Sequence, residues 1–423
     1  MRKYEIRDPV HGFIQFNKWE RDIINHPVFQ RLRRIRQLAF TDLVYPGAMH
    51  TRFEHSLGVM HLATKMYDAI TRKERNLRLL KDLIGYEKAG LEKDRQLVRL
   101  SALLHDIGHA PFSHASEELM PEKSESESYK HEDYTKQIIL DKLADVIENH
   151  PINKTNYNIK ANEVVALITG DVGVLGLRSF WKVLISSQLD ADRGDYLLRD
   201  SFHVGVKYGI YDVDRLLVSI ALGINPETES EMILGIDQGG WHVAETLITA
   251  RYQMFAQVYY HKTRRAYDYM LKECLKEAIS EFPSPKEIDK FLEYDDCIAW
   301  QLMKNRNSEW FRRMGERKHI KVVFETKEKP SEEEINYVEK LKEKLKEKNV
   351  WFWEDSPQEA KSWYKIKEDE EIYVIEKDGE NVCPLSEYST IVKSLQRQFA
   401  KSRIYVKPED REKANKIKEE VEK

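Results

Sequence analysis

The sequence predicts a mainly α-helical body over residues 1–319 and a smaller C-terminal α+β lobe over residues 320–423. Three observations carry this. Through the body, apolar side chains recur at i, i+3 and i+4, as in Leu97, Leu100, Leu104 and Ile107. At residues 320–324 a β-type run breaks that period, and others follow at 350–353, 372–375 and Arg403–Val406. Among these runs, Ser331-Glu332-Glu333-Glu334 reads as an N-cap box opening a Lys/Glu helix with Ile335, Val338, Leu341 and Leu345 on one face.

The elements follow in order. Asp8-Pro9-Val10-His11-Gly12 is turn-rich. Residues 26–38 read as a helix with Val28, Leu32 and Ile35 on its apolar side and Arg31, Arg33, Arg34 and Arg36 on the other. That arginine side fits a solvated face and a phosphate- or subunit-facing surface equally well. Pro46-Gly47 marks a turn, and Arg52 opens a helix carrying Val59, Leu62, Ala63, Met66 and Ile70. After a charged helical stretch, the helix of Leu97 ends in His105-Asp106, with His109 one turn on. His105 and Asp106 differ by about 100° around a helix axis, so both reach one point beside it. Pro111 marks an exit loop, residues 122–128 a mobile surface loop, and His131 the start of the next helix.

Residues 187–202 read as a helix whose stripe Asp192, Tyr196, Asp200 follows i, i+4, i+8. Aspartates buried without partners are costly, and a solvated stripe is the simpler reading on its own. Residues 241–282 are helical and aromatic-rich, interrupted by His261-Lys262-Thr263-Arg264-Arg265, which suits a pocket or a neighbouring subunit.

Composition bounds the function. A net charge of −4 over 423 residues gives no global basic field, so nucleic acid is not expected as the main partner. Cys274, Cys297 and Cys383 lie far apart and form no thiolate metal motif, which suits a reducing compartment. Met1-Arg2-Lys3-Tyr4-Glu5 is not a secretory leader, and no apolar run approaches the roughly 20 residues that cross a bilayer. The expectation is a soluble, cytoplasmic protein with no membrane partner.

Two imidazoles and two carboxylates, His55, His105, Asp106 and Asp192, would make a mixed N/O metal site with open positions. Any one of them is more often structural than catalytic, and the density of motifs around them shifts the balance. The ordered set Asp8–Gly12, Phe29-Gln30-Arg31-Leu32, Pro46-Gly47-Ala48, Arg52-Phe53-Glu54-His55-Ser56-Leu57-Gly58, His105-Asp106-Ile107-Gly108-His109-Ala110-Pro111-Phe112-Ser113-His114 and Asp190-Ala191-Asp192-Arg193-Gly194-Asp195-Tyr196-Leu197-Leu198-Arg199-Asp200 resembles the HD superfamily of metal-dependent phosphohydrolases. Within it, the chain resembles the deoxynucleoside triphosphate (dNTP) triphosphohydrolases.

That resemblance implies a helical HD core and a divalent ion (Mn, Fe, Mg, Ni or Zn) on His55, His105, Asp106 and Asp192. It implies triphosphate contacts from Arg52, His109, His114 and Arg193, with His109 as a phosphate contact or proton donor. Acid–base work falls to the region of His131 and Glu117, where some relatives carry an aspartate at the second position. Tyr196 and Asp200 face the sugar, Gln37 and Leu38 lie beside sugar and base, and Tyr267 closes the pocket. The implied products are a deoxynucleoside and inorganic triphosphate, from a homo-oligomer, dimer or tetramer. Nucleotide-activated relatives are basic where this chain has Tyr4, Ile236 and Gln238, and read guanine with an aspartate where it has Asn25, while Arg33 is retained. A regulatory nucleotide of the known type is therefore not expected, and another effector arrangement stays open. The alternatives are an HD-type phosphohydrolase acting on another nucleotide or phosphoester, and a regulator that binds nucleotides or single-stranded nucleic acid through the arginines of residues 31–36.

Overall fold

Two long helices, Arg52–Arg72 and Lys88–Leu104, pack side by side at the centre of the body. A computed structural model supplies this architecture and describes residues 3–86, 88–125, 127–356, 361–362, 371–376, 381–396 and 398–422. Val59, Leu62, Ala63, Met66, Leu97, Leu100 and Leu104 are buried where the helical period puts them. The second helix ends at Leu104, three residues before its apolar run does at Ile107, and residues 105–108 form a turn. His105 and Asp106 therefore leave the helix end on a tight corner.

The N-terminal segment departs from the expectation of a simple turn. Tyr4–Asp8 and Gly12–Phe16 pair antiparallel, with Ile6 opposite Ile14. Ile14 and Phe16 are buried while Phe13 is exposed, the period-2 pattern of a strand. Asp8 closes the turn, its Oδ1 accepting from the amides of Val10 and His11 at 2.9 and 2.8 Å.

The single helix expected over residues 26–38 is a short α-helix, Pro27–Gln30, followed by a 3-10 turn, Arg31–Arg34. Its arginines share no basic face. Arg31 is buried and donates to the Tyr294 carbonyl, Arg33 lies over the Phe53 ring, Arg34 pairs with Asp295, and Arg36 pairs with Asp42. Where a loop was expected, Glu122–Ser124 and Glu127–Ser128 are short exposed strands paired antiparallel.

The aromatic-rich region is two helices, Trp241–Met254 and Lys262–Ile279, joined by a π-helical turn over Phe255–Tyr259. The arginines of the polar cluster at its middle turn inward: Arg264 donates to Thr41 Oγ1 and Arg265 pairs with Asp355 at 2.7 Å.

In the C-terminal part, Arg403–Val406 pairs with both Lys321–Glu325 and Phe352–Asp355. The helices Glu332–Glu347 and Arg411–Glu422 complete a lobe with its own core of Val338, Leu341, Leu345, Ile404, Val406 and Ile417. The N-cap box is present, Glu334 N donating to Ser331 Oγ and Ser331 N to Glu334 Oε2. Ile335 is half exposed, off the buried face assigned to it. Residues on both sides of position 320 share one sheet: Tyr373–Ile375 lies parallel to Met232–Asp237, flanked by Val382–Pro384 and Ile220–Ile224. Among the described residues, no helix is long and apolar enough to cross a membrane.

Candidate metal centre and active site

Three elements converge on one point. Thr51 N donates to Glu54 Oε1 at 2.9 Å and opens the Arg52–Arg72 helix, placing His55 one turn inside. The corner after Leu104 presents His105 and Asp106. Asp190 caps the Ala191–Val204 helix by accepting from Arg193 N, which sets Asp192 in its first turn, where the helix dipole favours a carboxylate.

His55 Nε2 lies 3.0 Å from Asp192 Oδ1 and 3.5 Å from Asp106 Oδ2. His105 Nε2 lies 3.3 Å from Asp106 Oδ1 and 3.8 Å from Asp192 Oδ1. Both Nε2 atoms are buried, and neither contact has the direction of a hydrogen bond. The other ring nitrogens are engaged: His55 Nδ1 on Asp195 Oδ2 at 2.8 Å, and His105 Nδ1 on the Ala102 carbonyl at 2.8 Å. Each Nδ1 is thus engaged, and each Nε2 is the ring atom turned toward the carboxylates. Burial opposes a charged His55, yet Asp192 and Asp195 raise its pKa to about 10. This carboxylate-lined centre favours positive charge. Lone pairs, carboxylates and field fit a divalent cation, and Asp192, with 33% of its side chain exposed, opens the site to solvent.

Beside this centre, Arg52 donates to Asp106 Oδ2 and Ser113 Oγ, and is itself buried. His109 Nε2 sits 3.3 Å from Asp106 Oδ1. Burial, then the charges of Arg52 and His131, hold His109 well below the usual histidine range, so it is neutral. The His109 and His131 rings stack at 4.0 Å. Glu117 Oε1 takes His114 Nδ1 at 2.7 Å and His131 Nδ1 at 3.2 Å. Burial opposes its charge, but the two histidines hold Glu117 well below the usual carboxylate range. Burial likewise opposes a charged His131, and the Glu117 bond raises it above the ordinary histidine value.

A second polar pocket lies further along the Asp192 helix. Asp200, 2% exposed, has His50 Nε2 at 2.7 Å on Oδ1 and the Tyr259 hydroxyl on Oδ2. Tyr196 is half-buried, its ring 6.4 Å from that of Tyr259. Gln37 N donates to the His50 carbonyl, and the Gln37 Oε1 and His50 Nδ1 atoms are buried without partners. Leu38 is buried in the core.

Two expected contacts stand elsewhere. The Arg193 guanidinium is held by Asp190 and the Ser187 carbonyl, at the base of its own helix. Tyr267 is fully buried with its ring 5.1 Å from His319, and among the described residues no hydrogen bond or ring contact joins it to the clusters above. Arg317 lies 5.9 Å over its ring and donates to the Leu43 carbonyl.

Residues without a role in the sequence reading, Asp195, Arg199, His50 and Tyr259 among them, complete the site. Asp195, fully buried, accepts from His55, His11 and Arg199, and Arg199 also pairs with Asp8. This ties the N-terminal hairpin to a metal-facing histidine. His50 and Tyr259 flank Asp200. The i, i+4 spacing of Asp195 and Arg199 was the one signal available. Gly58 is required here because a Cβ would stand 1.9 Å from Asp195 Oδ1.

Comparison with known proteins fits this geometry. The HD domain matches residues 52–168 and the HD associated region residues 211–422. An uncharacterized protein of Methanocaldococcus jannaschii is 33% identical over 399 residues, covering 92% of this chain and 75% of that one. A deoxynucleoside triphosphate triphosphohydrolase SAMHD1 homolog of Dictyostelium discoideum is 27% identical over 312 residues, covering 72% of this chain and 55% of its own length. The chain thus spans little more than half of that relative. The crystal structure of a phosphohydrolase from Bacteroides thetaiotaomicron superposes with a TM-score of 0.70 at 25% identity, covering 96% of this chain and 100% of that one.

Proposed function

We propose that this chain, which belongs to the HD family of phosphohydrolases, hydrolyses deoxynucleoside triphosphates to a deoxynucleoside and inorganic triphosphate. One observation carries the choice of substrate. A single helix bears Asp192 at the metal centre and Asp200 in a second polar pocket. Eight residues of helix set them about 12 Å apart along its axis, which suits a substrate with phosphates at one end and a hydroxyl-bearing sugar at the other. The relatives named as dNTP triphosphohydrolases support the same reading.

His55, His105, Asp106 and Asp192 would hold the divalent ion, which supplies Lewis acidity at a phosphoryl oxygen and lowers the pKa of water. The chain's own groups do the rest. Arg52 and neutral His109 meet the phosphate oxygens, with Arg52 held by Ser113 so that little reorganisation is needed. His114, largely exposed, and Arg193, once drawn from Asp190, extend that contact along the polyphosphate. His131, protonated through its bond to Glu117, donates a proton to the 5′-oxygen as the bond to the α-phosphorus breaks. Such proton donation is worth about 10²- to 10⁴-fold. Tyr196 and Asp200 receive the sugar, and Gln37 and Leu38 border it, while Tyr267 stands apart in the core.

The test is Asp192→Ala, assayed by elemental analysis and by release of triphosphate from dNTPs with Mn²⁺ or Mg²⁺. The expected result is loss of bound metal and of turnover together. Full activity in the variant would exclude this ligand set.

A further inference from the structure

We propose that Tyr259 determines sugar specificity by occupying one oxygen of Asp200, so that this carboxylate serves a single substrate hydroxyl. The inference rests on the reading that Asp200 faces the sugar.

Asp200 is enclosed, and both of its oxygens are already engaged, one by His50 Nε2 and one by the Tyr259 hydroxyl. A carboxylate oxygen has two lone pairs, so a further hydroxyl must share an oxygen with a donor already there. Tyr259 is fixed for this task. It closes the π-helical turn Phe255–Tyr259, an irregularity that re-aims side chains and is frequent at functional sites. Its carbonyl accepts from Arg264, which in turn donates to Thr41. Across the pocket, the His50 ring stacks on His203 at 4.5 Å, so the opposite donor is equally fixed.

This arrangement discriminates by hydrogen bonding. A deoxyribose 3′-hydroxyl shares Asp200 Oδ1 with His50. A ribose brings a second hydroxyl that must share Asp200 Oδ2 with the Tyr259 hydroxyl inside an enclosed site, where it is poorly directed. A buried hydroxyl left without an acceptor costs about 10- to 100-fold in binding. Removing the tyrosine hydroxyl frees Oδ2 for that second hydroxyl.

Triphosphate release from matched dNTP, rNTP and 2′-fluoro-dNTP, by the wild-type protein and by Tyr259→Phe, tests this. Melting temperature and metal content are followed alongside. The wild type is expected to prefer dNTP over rNTP by tenfold or more. It is expected to accept the 2′-fluoro compound within a few-fold of dNTP, because fluorine has no proton to place. Tyr259→Phe is expected to bring rNTP within a few-fold of dNTP. The 2′-fluoro comparison needs no variant, so it decides the matter even if Tyr259→Phe folds poorly. If the wild type rejects the 2′-fluoro compound as strongly as rNTP, exclusion is by size and the proposal for Tyr259 falls, with dNTP hydrolysis intact. An unchanged preference in a folded Tyr259→Phe overturns it too. If the wild type hydrolyses no dNTP, the functional reading fails and this proposal with it.

Discussion

Glu117 holds two imidazoles on one oxygen, and this fixes how the proposed acid–base pair responds to pH. Burial opposes the His131 imidazolium, but the Glu117 carboxylate raises its pKa, so His131 keeps its proton to higher pH than a free histidine does. Replacing Glu117 by Gln removes that charge. The His131 pKa then falls, and the alkaline limb of the kcat–pH profile moves to lower pH by about one unit or more. A limb that stays in place would show that His131 is not the donor. At this scale the convergence of His55, His105, Asp106 and Asp192 was legible, because each stands in a dense motif. Their supports were not. Asp195 meets His11 across 184 residues and His55 across 140, while Asp200 meets His50 across 150 and Tyr259 across 59. No local spacing announces such pairs.

The elements that carry the site do so at their ends. His105 and Asp106 lie just past the Lys88–Leu104 helix, Asp192 stands in the first turn of its helix, and His131 begins the His131–Ile138 helix. Gly108 lets the first and last of these approach: a Cβ there would lie 2.3 Å from both the His131 carbonyl oxygen and Thr135 N. Both are backbone atoms, so the helix itself must move. Gly108→Ala is expected to cost about 1–3 kcal/mol of stability. Displacing His131 by about 1 Å is expected to lower kcat by up to about 100-fold. Thermal unfolding and steady-state kinetics check this, and wild-type kcat in the variant would contradict it. Long helices were legible from their 3.6-residue period. The short elements were not: five-residue strands such as Tyr4–Asp8 hold too few periods to register, and the arginines of residues 31–36 each find a separate partner.

At the scale of the whole molecule, the helical body and a C-terminal lobe were both visible in the change of period near residue 320. What crosses that point was not. Tyr373–Ile375 adds to a sheet begun by Ile220–Ile224 and Met232–Asp237, and Arg265 on the body pairs with buried Asp355 on the lobe. Parallel pairing of strands some 138 residues apart, Gly235 with Tyr373, depends on tertiary packing that periodicity does not encode. The proposed function sets metal and phosphate at the His55–Asp192 end of one helix and the sugar at the Asp200 end, and the account stands on what is cut there. The direct measurement is hydrolysis of a dNTP in water carrying heavy oxygen, with the products separated by mass. Attack at the α-phosphorus with departure of the 5′-oxygen predicts equal amounts of deoxynucleoside and triphosphate, with the label in the triphosphate alone. Label in the deoxynucleoside, or release of orthophosphate or pyrophosphate in place of triphosphate, would contradict it.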